Sequence, residues 1–302
     1  MNHKTLETQK SPKAVKMDIK LQRGLLHLFL MIVSFIMLTP FLWMLSTSLK
    51  FPNEIFTYPP IWIPSKIRWE NYFDAFNAVP FGRYYFNSIL VALSVTCIVL
   101  LTSSLAAYAF SRLKFRGREI LFITYLATLM IPFPVLLIPN FLIVREFGWH
   151  DTYAALILPP AFSAVATFLY RQAFRGIPPE LDDAARIDGA SSWRIWWNVI
   201  MPNAGPVTAA LGIFTFLGNW NEFLWPLVVT NRAEMRTIPV GLSFFQGQYS
   251  VQWELLMSAA VIALLPIVVI YLFAQKWIIR GVTISGMGGR YIISDPVILF
   301  NT

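Results

Sequence analysis

Residues 84–110 read YYFNSILVALSVTCIVLLTSSLAAYAF. None of them is charged, and at about 1.5 Å per helical residue the run reaches about 40 Å, more than the roughly 30 Å hydrocarbon core of a bilayer. A helix this long and this apolar is predicted to cross a membrane. Working outward, five more apolar segments follow the same pattern, at Leu25–Ser48, Glu119–Val144, Thr152–Tyr170, Val207–Val229 and Leu255–Ile279, with Tyr84–Phe110 second in order. The whole chain agrees. Of its 302 residues 56% are hydrophobic and only 13% charged, about half the charged share of a soluble domain. The expected fold class is therefore all-α, a polytopic membrane protein with six transmembrane helices. The first segment follows a basic leader, but its apolar core is too long for a signal peptide and no small-residue cleavage site follows, so a retained helix is expected.

The distribution of basic residues orients the spans. Of the 24 Lys and Arg, seventeen fall in the N-terminal tail, the second–third loop, the fourth–fifth loop and the C-terminal region, and seven fall in the alternate loops. Lys and Arg collect on the cytoplasmic side, so both termini are expected there. The net charge of +8 is thus a topology signal and does not call for nucleic acid. The implied organisation is a basic tail at 1–24, a transmembrane domain at 25–280 and a cytoplasmic tail at 281–302. Long external loops run over 49–83 and 230–254, and a long cytoplasmic loop over 171–204.

Several chemistries are excluded. The single cysteine, Cys97, rules out an intramolecular disulfide framework and a CxxC pair, and the histidines His3, His27 and His150 have no ligand spacing. No metal site and no catalytic residue is expected. Without any Gly-Lys pair there is no phosphate-cradling loop, so the chain does not hydrolyse ATP by that route. An ion-driven carrier places titratable groups near the bilayer midplane, and the spans offer little beyond Glu222. A scaffold without a substrate path remains a rival. If the chain takes part in active transport, the energy comes through another polypeptide.

That inference points to the fourth–fifth loop, RQAFRGIPPELDDAARIDGASSWRIWWNVIMPN at 171–203. Pro178 and Pro179 open a helix whose first turn holds Glu180, Asp182 and Asp183, where acids face the positive end of the helix dipole. Ala184 and Ala185 are small. Asp188-Gly189 supplies a turn, and a second helix is expected over about Ala190–Val199, broken by Pro202. One reading is an interfacial hairpin anchored by Trp193, Trp196 and Trp197. The other is a rigid knob for a soluble partner, with small residues allowing close approach and acids suiting a basic groove.

The DDAARIDGA stretch at 182–190, followed by Pro202, resembles the EAA motif of ATP-binding-cassette importer permeases. Glu70-Asn71-Tyr72, Asn87-Ser88, AYAFSRLKFRGR at 107–118, LMIP at 129–132, NWNEFLWPL at 219–227 and GVTISGMGG at 281–289 are similar to the carbohydrate-type, maltose-importer-like branch of that family. The resemblance implies a type I importer permease fold in a bacterial cytoplasmic (inner) membrane. It implies as partners a second homologous permease subunit, two ABC ATPase subunits, an extracytoplasmic solute-binding protein, a saccharide substrate and membrane lipid. ATP and Mg would sit on the partner subunits, with no cofactor on this chain. Glu180, Asp183, Ala184, Ala185, Asp188, Gly189 and Ala190 would form the coupling helix that docks on an ATPase. Asp183 stands where the family usually has glutamate, and Gly288 where maltose-type subunits tend to have lysine.

Two further groups are candidates. Asn219, Trp220, Asn221 and Glu222 place polar and aromatic groups in an apolar setting, suited to a substrate path or gate, or to hydrogen bonding between helices. Gly241, Gln246, Gly247 and Gln248 lie in the third external loop and resemble the loop that reaches the binding protein. The alternative there is a plain surface loop with turn glycines. The prolines Pro132, Pro134, Pro139, Pro159, Pro160 and Pro266 are expected kinks or ordinary membrane-helix prolines.

Overall fold

The computed structural model describes residues 12–246 and 251–286. Among these, regular structure is helical apart from one bridge between Gln246 and Val251. The helices are α1 (Pro12–Ser48), α2 (Pro52–Ile55), α3 (Glu70–Ala78), α4 (Phe81–Arg112), α5 (Arg118–Ala127), α6 (Phe133–Glu146), α7 (Tyr153–Ile157) and α8 (Ala164–Arg175). They continue as α9 (Glu180–Ile187), α10 (Ser192–Ile195), α11 (Met201–Asn203), α12 (Gly205–Trp220), α13 (Leu224–Val229), α14 (Ile238–Ser243) and α15 (Trp253–Gly286). The basic tail residues before Pro12 and the Gly288 position lie outside the described residues.

Three stretches are unbroken and apolar enough to span: Gln22–Ser48, Phe81–Arg112 and Trp253–Phe273. The other three expected spans are not single rods. Arg118–Met130 and Phe133–Glu146 meet at 101°, and Tyr153–Ala161 and Ala164–Arg175 at 43°. Each break has a proline cause. Ahead of Pro132, Ile131 is driven extended (φ −90°, ψ 113°), because a proline ring excludes helical geometry from the residue before it. Pro159 and Pro160 tighten a 3-10 turn that ends in extended Phe162, and the Ser163 hydroxyl then caps α8 by accepting from Ala166 N.

The expected fifth span, Val207–Val229, is likewise corrected. Its helix starts at Gly205, stops at Trp220 and resumes as the short α13. Pro226 accounts for this: its ring would strike the carbonyl four residues earlier, so a helix cannot run through Glu222 into Pro226.

α4 is the centre. It packs against α8 and α12, and its buried Val91, Val95 and Val99 recur every fourth residue on one face. Small buried groups at Ser88, Ala92, Ser103, Ser104 and Ala107 let the neighbours come close, which matters in lipid, where apolar burial alone gives helices no reason to associate. α1 packs chiefly on α15. Its most apolar window buries nothing inside the chain, and Phe29, Phe35 and Met37 are all more than 60% exposed. An outer surface of this kind is stable only against lipid or another apolar body.

Buried polar staples fix the end of the molecule opposite the 171–203 loop. Asn71 Nδ2 donates to the Ser48 and Lys50 carbonyls at 3.0 and 2.8 Å, ending α1 on α3. Asn87 Nδ2 donates to the Glu234 and Arg236 carbonyls while its Oδ1 accepts from Tyr153 Oη at 2.6 Å. Ser88 Oγ accepts from Ile238 N at 2.8 Å. Burying these groups unpaired would cost about 1–3 kcal/mol each, so their pairing fixes the loops firmly to α4.

Candidate functional site

The 171–203 loop forms a closed hairpin. Asp188 N donates to Ala184 O, Gly189 N to Arg186 O and Ala190 N to Ala185 O at 2.9 Å. The last two bonds are the paired closure of a Schellman turn, which requires a left-handed residue between them. Gly189 takes that place with φ +77°, and open space surrounds the position of a Cβ there. The expected turn is therefore present at Gly189, although among the described residues the Asp188 side chain makes no hydrogen bond to it. The second arm differs from expectation. Pro202 does not end it; the arm runs helically from Ser192 to Asn203 with a π-turn at Trp196–Ile200. Met201 N reaches back five residues to Trp196 O, and this wider turn accommodates the proline ring without a break. The chain then turns by 81° into α12.

The two sides of α9 are unlike. Asp182 is buried at 3% exposure, and Ala185 and Ala190 pack on the central core with Ile195 and Trp196. Glu180, Asp183, Ala184, Asp188 and Gly189 are exposed, and Ile187 is 87% exposed beside the turn. Asp183 makes only a loose, exposed pair with Arg186 at 3.4 Å.

The base of the hairpin is held by two arginines. Arg112, the last residue of α4, donates through Nη2 to the Phe174 and Ile177 carbonyls at 2.6 and 2.7 Å, and its Nε lies 3.6 Å from Asp182 Oδ2. The side chains of that ion pair are 9% and 5% exposed. Burial pushes the Asp182 carboxyl up, against the opposing pull of Arg112 and Arg186. Arg171, 3% exposed, donates to both Glu119 oxygens at 2.5 and 2.8 Å and to Phe110 O, and lies over the Phe122 ring. Neither Arg112 nor Ile187 was singled out from the sequence. The arginine closing a long apolar run just before a basic loop reads as a topology charge, and its partner sits seventy residues on.

The NWNE group separates in space. Trp220 is buried and donates through Nε1 to Ala263 O at 3.2 Å, and with Asn221 it faces α15. Asn219 and Glu222 instead line a cavity of about 430 Å³ on the other side of the chain. Three helix breaks meet at this cavity: Phe133 comes from the first, Pro160 and Phe162 from the second, Glu222 and Pro226 from the third. Glu222 Oε1 accepts from Leu224 N at 3.0 Å and Trp225 N at 3.2 Å, supplying the turn that Pro226 interrupts. Trp225 is locked by its Nε1 bond to Ala155 O at 2.9 Å and packs edge-on to Phe133. Asn140 completes the polar set. Irregular backbone at membrane depth is stable where it borders such a cavity.

In the 230–254 loop Gly241 is not at a contact surface. It lies buried in α14 against the Tyr84 ring, where a Cβ would overlap the ring carbons. Gln246 is exposed; Gly247 and Gln248 lie outside the described residues. Facing this loop, Asp151 (φ 62°) accepts from Asn231 N, Arg232 N and Arg232 Nε.

Over residues 98–284 the chain matches the family described as binding-protein-dependent transport system inner membrane component. It is 36% identical over 267 residues to the arabinooligosaccharides transport system permease protein AraQ of Bacillus subtilis, an alignment spanning 87% of this chain and 95% of that protein. It is 35% identical over 241 residues to the sn-glycerol-3-phosphate transport system permease protein UgpE of Yersinia enterocolitica, spanning 77% and 86%. In fold it is similar to a chain in the crystal structure of a bacterial ABC transporter involved in the import of the acidic polysaccharide alginate, with a TM-score of 0.77 at 22% identity over 89% of this chain and 99% of that one.

Proposed function

This chain belongs to the family of binding-protein-dependent transport system inner membrane components, non-catalytic multi-pass subunits of ABC importers, and on that premise we propose that it passes a saccharide or glycoside under the drive of a partner's ATP hydrolysis. The observation that carries the reading is the hairpin: a rigid, Schellman-closed knob with Ile187 and Gly189 outward and Asp182 pinned inward by Arg112. A knob fixed to the end of α4 and joined to α12 through the 81° turn moves the bundle when its tip is moved.

The functional assembly comprises this chain, a second homologous permease, two ATPases carrying ATP and Mg, and an extracytoplasmic binding protein. Glu180, Asp183, Ala184, Ala185, Asp188, Gly189 and Ala190, with Ile187 added, meet the ATPase. Both termini, residues 1–24 and 281–302, lie with the hairpin in the cytoplasm, and the domain at 25–280 rocks between inward- and outward-open states. Asn219 and Glu222 border the path, whereas Trp220 and Asn221 act as packing against α15. Gln246, Gly247 and Gln248 remain the binding-protein contact, without Gly241. The saccharide cargo is supported by the name of the arabinooligosaccharides relative, while the sn-glycerol-3-phosphate relative is named for a polyol phosphate.

The test is Gly189→Pro in the reconstituted complex. Proline cannot take φ +77° and removes the N–H given to Arg186 O. Expected is normal membrane insertion with ATP-driven uptake abolished; undiminished uptake at normal subunit levels refutes the coupling role.

A further inference from the structure

The family carries both neutral and anionic cargo, so membership alone does not choose between them; the cavity at the three helix breaks does. Resting on the importer reading, we propose that Glu222, Asn219 and Asn140 make this cavity a subsite for a neutral saccharide and that Glu222 disfavours acidic ones.

Its polar inventory is lopsided. Glu222 brings a carboxylate, and no lysine, arginine or histidine lines the cavity. Asn219 has committed one of its two Nδ2 hydrogens to Thr215 O at 2.8 Å, which leaves one N–H to donate and the two lone pairs of Oδ1 to accept. Glu222 uses Oε1 on two backbone N–H groups, and among the described residues Oε2 has no partner. Asn140 is half-buried without a hydrogen bond among the described residues and can both donate and accept. The walls therefore offer more acceptors than donors. A sugar hydroxyl donates to such a wall, whereas a carboxylate, sulfonate or phosphate only accepts, and it would meet Glu222 with no cation to offset the repulsion.

The apolar part suits a sugar ring. Trp225 is held by its bond to Ala155 O, and Phe133 and Phe162 come from the other two breaks, so an aromatic side chain reaches the cavity from each of the three. A volume of about 430 Å³ is within the range of small-ligand sites. Because all three breaks border the cavity, its shape changes with any rocking of the spans, as a transport site requires.

The experiment uses proteoliposomes holding the complete complex with its own binding protein, supplied with a labelled pool of neutral pentose and hexose trisaccharides or a pool of uronate trisaccharides. ATP-driven uptake of each is read in wild type, Glu222→Gln and Asn140→Lys. Glutamine keeps an oxygen for the Leu224 and Trp225 N–H groups. Expected is a wild-type preference for the neutral pool, and a neutral-to-acidic uptake ratio that falls about tenfold in Glu222→Gln, the scale of one like-charge repulsion at a partly solvated site. Asn140→Lys, which adds a cation to the lining, moves the ratio the same way. Wild-type preference for the acidic pool, or a ratio unmoved by both variants, overturns the assignment while leaving the importer reading intact. Absence of uptake from either pool together with ATP hydrolysis that the binding protein does not stimulate refutes the importer reading itself.

Discussion

Replacing Arg112 by methionine removes the ion-pair partner of the buried Asp182 carboxylate, leaving the more distant Arg186, and the donor of two hydrogen bonds to the Phe174 and Ile177 carbonyls. Opposite charges 3.6 Å apart attract by about 4–5 kcal/mol at an effective dielectric near 20. Stripping one partner from a buried pair typically costs about 3–5 kcal/mol. We expect the Arg112→Met hairpin to be destabilised by about 4 kcal/mol. The reverse change is milder. Asp182 already leaves its Oδ1 without a hydrogen bond and is held above its usual range by burial, so Asp182→Asn, which keeps both Arg112–carbonyl bonds, should cost about 1 kcal/mol. The double change Arg112→Met with Asp182→Leu removes the stranded charge as well and should recover about half of the loss. The assay is hydrogen exchange of residues 183–190 in the intact complex in nanodiscs. Four kcal/mol corresponds to about a 10³-fold loss of protection and one to about fivefold. Protection within tenfold of wild type in Arg112→Met, or equal losses in both single variants, would refute the clamp.

Other expectations follow from the same contacts. Because burial raises the Asp182 pKa in the folded hairpin, the folded state binds more protons than the unfolded one between the ordinary aspartate value and the raised one. Hairpin protection, corrected for intrinsic exchange, should therefore grow as pH falls through the raised pKa and level off below the ordinary value. Asp182→Asn should flatten that slope; a wild-type profile that is flat, or that weakens on mild acidification, contradicts it. Gly241→Ala drives a methyl into the Tyr84 ring and should cost about 1–3 kcal/mol, seen as a lower melting temperature of the purified subunit pair. Tyr84→Leu in the same chain should relieve part of it, and an unchanged melting temperature in Gly241→Ala would show that the ring yields freely.

The long apolar runs were legible because a period-free, charge-free stretch admits few structures; α1, α4 and α15 follow them closely. Span interruptions were harder to read. Prolines at 132, 159, 160 and 226 mark where hydrogen bonds are missing, but whether a chain kinks mildly or turns by 101° depends on what neighbours can fill the gap. The hairpin's turn was readable from Asp188-Gly189, since local closure needs only local residues. Pro202 misled, because one added residue in a π-turn cancels its effect. Arg112 with Asp182, and Phe133 with Glu222, join distant segments, and no single-sequence pattern reports such pairings. Gly241 reads as a turn glycine until Tyr84 is seen against it.

α4 runs intact from Phe81 to Arg112 beside three interrupted neighbours. Bending an unbroken helix would mean rupturing its own backbone ladder, whereas the neighbours have already forgone those bonds at their interruptions. The bundle thus has one stiff mast and three jointed spars, and its softest deformations swing the spars about the mast at the depth of the cavity. The hairpin is tied to the foot of that mast through Arg112.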